Sequence, residues 1–114
     1  MTEEQLQAAC FQWHWNTFPH QRRMLFAINN NSADRREGNQ HKAIGVVAGV
    51  SDMVYIHMGG VAFIELKVGK NGQSPEQKEF QMMAEGRLHK YYIAKTLGEF
   101  QDIIKSYNIA KQFK

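Results

Sequence analysis

The stretch from Gly49 to Lys67, GVSDMVYIHMGGVAFIELK, constrains the fold more than any other part of the chain. Met53 to Met58 and Val61 to Val68 are two runs rich in β-branched, aromatic and apolar residues. The dipeptide Gly59-Gly60 between them tolerates the backbone angles of a tight two-residue turn. The pattern predicts a β-hairpin in which Met58 faces Val61, His57 faces Ala62, Ile56 faces Phe63, Val54 faces Glu65 and Asp52 faces Lys67. Opposed residues point to one side of a sheet, as do residues two apart along a strand, so Asp52, Glu65 and Lys67 share a face. In this register Asp52 and Glu65 are diagonal neighbours, with α-carbons roughly 7–8 Å apart.

Two carboxylates at that separation can share one hard divalent cation. Mg²⁺ takes oxygen ligands, keeps several waters and is usually held by one or two carboxylates together with a substrate phosphate. Such an ion polarises a phosphodiester and lowers the pKa of bound water. A lysine beside it can orient that water or neutralise charge developing on the phosphate. The competing reading is a surface ion pair between Asp52 and Lys67 with an unrelated glutamate, an arrangement that is common and weak. The position of both acids in or at the end of apolar strands brings the site reading level with the ion pair, and both stay open on these residues alone.

The order Gly49-Val50-Ser51-Asp52, Glu65-Leu66-Lys67 and Ser74-Pro75-Glu76-Gln77, with Asn29 upstream and a G-x-x-x-G-x-x-D run from Gly45 to Asp52, resembles the PD-(D/E)xK nuclease superfamily. More narrowly, it is similar to the virus-type replication-repair nuclease domain, VRR-NUC, of the stand-alone phage or viral kind, from Glu3 to about Ile104. Ser51 departs from the proline of the superfamily name, at a position that lends backbone shape. The resemblance implies Mg²⁺ or Mn²⁺ held by Asp52, Glu65 and the main-chain carbonyl of Leu66. It also implies Lys67 as the catalytic lysine and Gln77 beside the metal. An acid at the start of the first helix completes the implied set. Glu3 matches it by its spacing to Leu6-Gln7, with Glu4 as the competitor and simple complementing of the helix dipole as the alternative for either.

At 114 residues the chain is expected to be one domain with a core that needs no staples. A net charge of +3 fits a polyanionic partner without requiring one. The single cysteine, Cys10, excludes an internal disulfide framework and a cysteine-based zinc cluster. No signal peptide or apolar run near eighteen residues is visible, so a soluble cytoplasmic protein without membrane attachment is expected.

Along the chain, Thr2 is set to cap a helix running to about Thr17, with Glu3 and Glu4 in its first turn. This helix carries two apolar stripes, Leu6-Ala9-Cys10-Trp13 and Ala8-Phe11-Trp15-Phe18, where a surface helix needs one. Pro19 ends it. A short strand follows from Met24 to Ile28, closed by Asn29 to Ser32. Arg35 to Ala43 is polar and basic, a loop or a short helix, and Arg35, Arg36 and Lys42 are candidate phosphate contacts. Lys70, in the Gly69 to Gln73 loop, is another.

Ser74-Pro75-Glu76-Gln77 is a helix start in which Gln77 either closes a capping box or serves the site, the two roles being hard for one side chain to combine. Phe80, Met83, Ala84 and Leu88 read as its core side. Tyr91 to Ala94 is a further strand, and Leu97 to Ile109 a last helix with Phe100, Ile103, Ile104 and Tyr107 inward. None of the five histidines has ligand spacing, and none is assigned catalysis. The sum is an α/β chain with a mixed central sheet flanked by helices on both faces and a right-handed crossover around the Ser74 helix, matching the restriction-endonuclease-like core that the resemblance implies.

The expected function is a metal-dependent, structure-selective DNA endonuclease. The resemblance implies a 5′-phosphate product and, for a minimal stand-alone domain, branched DNA such as four-way junctions. The alternative is a non-catalytic nucleic-acid-binding module that keeps the fold. A sequence-reading restriction-type enzyme is disfavoured, because no extra segment is present to enter a groove. A two-fold homodimer is expected, since a four-way junction takes two symmetric nicks and the second stripe of the first helix offers apolar surface.

Overall fold

The computed structural model describes residues 1–28 and 43–108. The candidates Asn29, Arg35, Arg36 and Lys42 lie outside the described residues, as does Ile109 at the expected end of the last helix.

Helix α1 spans Glu3–Thr17. It starts where the sequence places it, and the cap is a full box: Gln5 N–H donates to the Thr2 hydroxyl, and Thr2 N–H donates to the Gln5 side chain. Strand β1 is Leu25–Ala27, β2 is Met53–His57 and β3 is Gly60–Leu66. Helix α2 spans Pro75–Gly86, β4 is Lys90–Ala94 and α3 spans Leu97–Ser106. The sheet runs β1-β2-β3-β4; both pairings of β2 are antiparallel, and β4 lies parallel to β3 after the crossover through α2. The mixed α/β sheet is therefore as expected.

The hairpin register is not. His57 pairs with Gly60, Ile56 with Val61, Val54 with Phe63 and Met53 with Ile64. The turn is Met58-Gly59 rather than Gly59-Gly60, and Gly60 opens β3 at a φ of +143°. The His57 ring stabilises the earlier turn by accepting from Gly59 N–H at 3.1 Å. Moving the turn by one residue shifts every partner by two, so each side chain keeps its face. Asp52 thereby lies across from Glu65 instead of diagonal to it.

One face of the sheet, carrying Leu25, Met53, Tyr55, Ala62, Ile64, Leu66 and Ala94, packs on Leu6 and Cys10 of α1 and on Phe100 and Ile104 of α3. Each large aliphatic side chain fully buried there stabilises the fold by about 1.5–3 kcal/mol. The core is closed by a polar network that the sequence reading missed. Tyr55 donates to Gln21 Oε1 at 2.8 Å, Gln21 donates to Asn108 Oδ1 at 2.7 Å, and buried His14 bonds Gln21 at 3.1 Å.

The second stripe of α1 is not a free patch. Phe11 and Phe18 pack against the core, and Trp15 is 37% exposed beneath the Arg22 guanidinium, 4.8 Å from its ring centroid.

The opposite face carries Phe63 and Tyr91, which meet Phe80 of α2 at ring-centroid distances of 5.1 and 6.1 Å. Of the residues expected to line the core side of α2, Ala84 is buried, but Met83 is 51% and Leu88 92% exposed. Leu88 in fact lies beyond the helix. Its N–H donates to Glu85 O and that of His89 to Ala84 O, the Schellman pattern that calls for glycine, yet Leu88 holds a φ of +68°. Replacing it relieves a left-handed strain of about 1–2 kcal/mol, offset in part by glycine's unfolded-state entropy. Leu88→Gly is expected to raise the melting temperature by a few degrees in calorimetry; a lower value would show that the exposed leucine makes stabilising contacts.

Candidate active site

Three elements converge at one end of the sheet. Asp52 immediately precedes β2, Glu65 lies in the last turn of pleat of β3 with Lys67 just beyond, and α2 brings Gln77 over them. Asp52 Oδ2 accepts from Leu66 N–H at 2.7 Å, so a main-chain bond across the hairpin orients its carboxylate. Buried Ser51 donates to Met53 O and shapes the approach to β2, consistent with a backbone role at that position. Lys67 N–H is tied to Ala94 O, and its ammonium lies 3.7 Å from Glu65 Oε2.

Gln77 makes the contacts of the cap and a contact to Glu65 at the same time. Its Oε1 accepts from Ser74 N–H at 2.8 Å while its own N–H donates to the Ser74 hydroxyl, closing the capping box. Its Nε2 donates to Glu65 Oε2 at 2.9 Å. A side-chain amide has an acceptor end and a donor end, so cap and site draw on different atoms.

Glu65 is 1% exposed, and both Gln77 and Lys67 address its Oε2. Its Oε1 is buried with no hydrogen-bond donor among the described residues, and the Asp52 carboxylate lies within hydrogen-bonding reach of the Glu65 carboxyl. Burial, then the adjacent Asp52 carboxylate, push the Glu65 pKa up to about 8 against the pull of Lys67. Burial also raises Asp52, despite the Leu66 bond and the neighbouring Lys67 charge. The site thus concentrates negative charge in a place that disfavours it. An orphaned carboxylate oxygen beside a second carboxylate is a donor set that fits a hard cation, and a divalent ion would offset both the burial and the mutual repulsion.

These shifts set a sign for stability. Glu65 is raised in the folded state, so its favourable contribution is complete below its unfolded value near 4.5 and is lost as pH rises through about 8. Chelator-treated protein is expected to lose on the order of 5 kcal/mol across that window, and Glu65→Gln to lack this part of the loss. Melting curves from pH 4.5 to 8.5 check it; identical slopes for the two proteins would contradict the assigned environment.

The carboxylates open onto a cleft of about 590 Å³ lined by Glu3, Glu4, Gln7, Gly49, Asp52, Glu65 and Gln77, among others. The structure thus brings Glu3 to the same cleft as Asp52, Glu65 and Gln77. Glu3 is half-buried and its charge raises both carboxylate pKa values, whereas Glu4 has no such effect on either group. Glu3 Oε2 accepts from the Asn71 amide at 3.1 Å, a partner that only the fold reveals, since Asn71 reads in the sequence as one more loop residue. Among the described residues, no three His, Cys, Asp or Glu side chains gather closely enough to hold a metal unaided. Asp52 and Glu65 are the close pair, and main-chain oxygen or water would complete an octahedral shell. Lys70 is exposed in the turn after β3.

No family model and no curated protein sequence matches the chain. Among solved structures, the fold is similar to that of a VRR_NUC domain protein with a TM-score of 0.77 at 21% identity, over 94% of this chain and 88% of that one. The chain therefore has the fold of a VRR-NUC domain, with a mixed four-stranded sheet of the restriction-endonuclease-like kind. No helix among the described residues is long and apolar enough to cross a membrane.

Proposed function

From the fold of a VRR-NUC domain, we propose that this chain is a Mg²⁺- or Mn²⁺-dependent endodeoxyribonuclease acting on branched DNA, four-way junctions included. One observation carries the reading: the buried Glu65 Oε1 opposite Asp52, which has no hydrogen-bond donor among the described residues, with the Lys67 ammonium 3.7 Å from the other oxygen of the same carboxylate. Asp52, Glu65 and the Leu66 carbonyl would hold the ion, with Glu3, in the lining of the same cleft, reaching it through water. When bound, it supplies Lewis-acid polarisation of the phosphodiester and a water of lowered pKa.

The chain's own groups do the rest. The Leu66 N–H fixes one oxygen of Asp52, leaving the other to face the cleft. Gln77 holds Glu65 Oε2 and so determines where Oε1 points. The Lys67 ammonium stands at the rim of this pair, placed to orient the attacking water and to neutralise charge on the phosphate as it builds. Water would attack the phosphorus in one step as the bond to the 3′ oxygen breaks; the water gives up a proton to solvent and the leaving oxygen takes one from solvent, giving a 3′-hydroxyl and a 5′-phosphate. Lys70, with Arg35, Arg36 and Lys42 in sequence, would hold neighbouring phosphates and make affinity salt-dependent.

The test is incubation with labelled linear, flap and four-way DNA in Mg²⁺, Mn²⁺ or EDTA. Cleavage of the four-way substrate in either cation, absent in EDTA, is expected. Retained binding with no cleavage in any cation would favour the non-catalytic module instead.

The reading includes a two-fold homodimer, because paired nicks across a junction need two sites related by the junction's own symmetry. Apolar surface is available on the α2 side of the sheet near its β1 edge, where Phe26 is 41% and Ile56 39% exposed. Light scattering after size exclusion is expected to give twice the chain mass of 13.2 kDa. A strict monomer at micromolar concentration, making uncoupled nicks, would overturn both the dimer and the junction-resolving function.

A further inference from the structure

We infer that Gly49 is a positioning residue of the active site, acting through Gln77. The inference rests on the nuclease reading only for its kinetic arm.

Gly49 sits in the loop leading to Asp52 with a φ of +89°, a conformation that side chains rarely adopt. The stronger constraint is contact. A β-carbon at this position would lie 2.6 Å from the main-chain carbon and oxygen of Glu76 and 2.7 Å from its Cβ. Two of these three atoms are backbone, so no rotamer change can make room. The loop therefore rests directly on the first turn of α2, one residue before Gln77.

The consequence follows from what Gln77 spans. Its amide is fixed at one end to Ser74 in the cap and at the other to Glu65 Oε2 at 2.9 Å. Ordinary van der Waals separation from a new β-carbon is roughly 3.5–4.0 Å, so α2 or the loop must move by about 1 Å. Moving the helix start carries the Gln77 amide away from Glu65, because the capping box makes that turn a rigid unit. Moving the loop instead displaces Asp52, three residues on. Either way the relation between Asp52 and the oxygen that Gln77 holds is altered, with no group of the site deleted. The spacing Gly49-x-x-Asp52 thus joins a clasp to a carboxylate, and Glu76-Gln77 joins the other half of the clasp to its orienting amide.

Gly45 provides the control. It has a similar φ of +95°, with no atom of the described residues within 4 Å of its would-be β-carbon. Gly45→Ala imposes the backbone strain without the collision.

The first readout needs no metal and no activity. In wild-type protein the Gln77 side-chain amide, donating to a buried carboxylate, is expected to give a resolved, downfield-shifted pair in ¹⁵N correlation spectra. Gly49→Ala should move that pair toward the position of a solvated glutamine, and Gly45→Ala should leave it in place while lowering the melting temperature. The second readout is kinetic, on the four-way DNA in Mn²⁺. Gly49→Ala is expected to lower kcat at least tenfold with KM within twofold of wild type. In a Gln77→Ala background, Gly49→Ala should lower kcat by less than twofold more, since two changes acting through one group are not additive.

An unmoved Gln77 resonance in folded Gly49→Ala, or a full tenfold loss persisting in Gln77→Ala, would overturn the proposal. Should Gly49→Ala not fold, Glu76→Gly loosens the same clasp from the helix side without a collision. It is expected to shift the Gln77 pair, and an unshifted pair there would equally overturn the proposal. If wild-type protein cleaves none of the DNAs, the nuclease reading fails while the spectroscopic arm still decides the role of Gly49.

Discussion

Asp52→Asn and Glu65→Gln are each expected to abolish DNA cleavage, a loss on the order of 10³-fold or more, while leaving the fold intact. Both substitutions keep shape and would remove a hard anionic ligand from the proposed metal site. Asparagine can still accept from Leu66 N–H through its side-chain carbonyl, so the hairpin end retains the 2.7 Å bond that orients position 52. Glutamine at 65 retains an oxygen for Gln77 and removes a buried charge, so chelated Glu65→Gln should melt higher than wild type at pH 8. A second measurement separates loss of metal from loss of chemistry. Mn²⁺ should raise the melting temperature of wild-type protein in proportion to site occupancy, and should do so much less for either variant. Near wild-type cleavage by either variant in Mg²⁺ would place the metal elsewhere.

Lys67→Met is expected to lower the cleavage rate by about 10²–10³-fold while preserving Mn²⁺ binding in calorimetric titration. The ammonium lies 3.7 Å from Glu65 Oε2 and is not a ligand. Its removal takes away a positive charge beside buried Glu65 and half-buried Asp52, so Mn²⁺ affinity should be kept or increased. Methionine is long enough to fill the largely buried stem of the lysine, which is 8% exposed, so a folding defect is not the expected result. A folded Lys67→Met that no longer binds Mn²⁺ would contradict the assigned role. Equal loss in Lys67→Met and Lys67→Arg would indicate that ammonium geometry matters beyond charge, because the guanidinium carries its donors in a fixed plane.

The residues of the candidate site and their placement in the fold were legible in the sequence to different depths. Asp52, Glu65 and Lys67 fall on one face because side chains alternate with period two, and an error of one residue in the turn shifts partners by two and leaves that parity untouched. The turn itself was misplaced, because Gly59-Gly60 satisfies a generic preference for positive φ whereas the His57 ring selects the turn one residue earlier. The helix starts were read from Thr2 and Ser74, whose caps are local and need no distant partner. Leu88 was misread as core because its spacing continues the helical pattern past the point where the chain turns left-handed.

By itself, then, the sequence determined what depends on near neighbours along the chain: the caps, the strand alternation, the mixed order of strands and helices, and the shared face of two acids and a lysine. The tertiary structure alone decided what depends on separation in space. It placed Asp52 across from Glu65 and left Glu65 Oε1 buried with no donor among the described residues. It let one Gln77 amide serve both cap and carboxylate, tied Asn71 to Glu3, and pressed Gly49 onto Glu76. Hydrogen bonding, desolvation and steric exclusion act over a few ångströms between segments that lie tens of residues apart, and no local pattern encodes those distances.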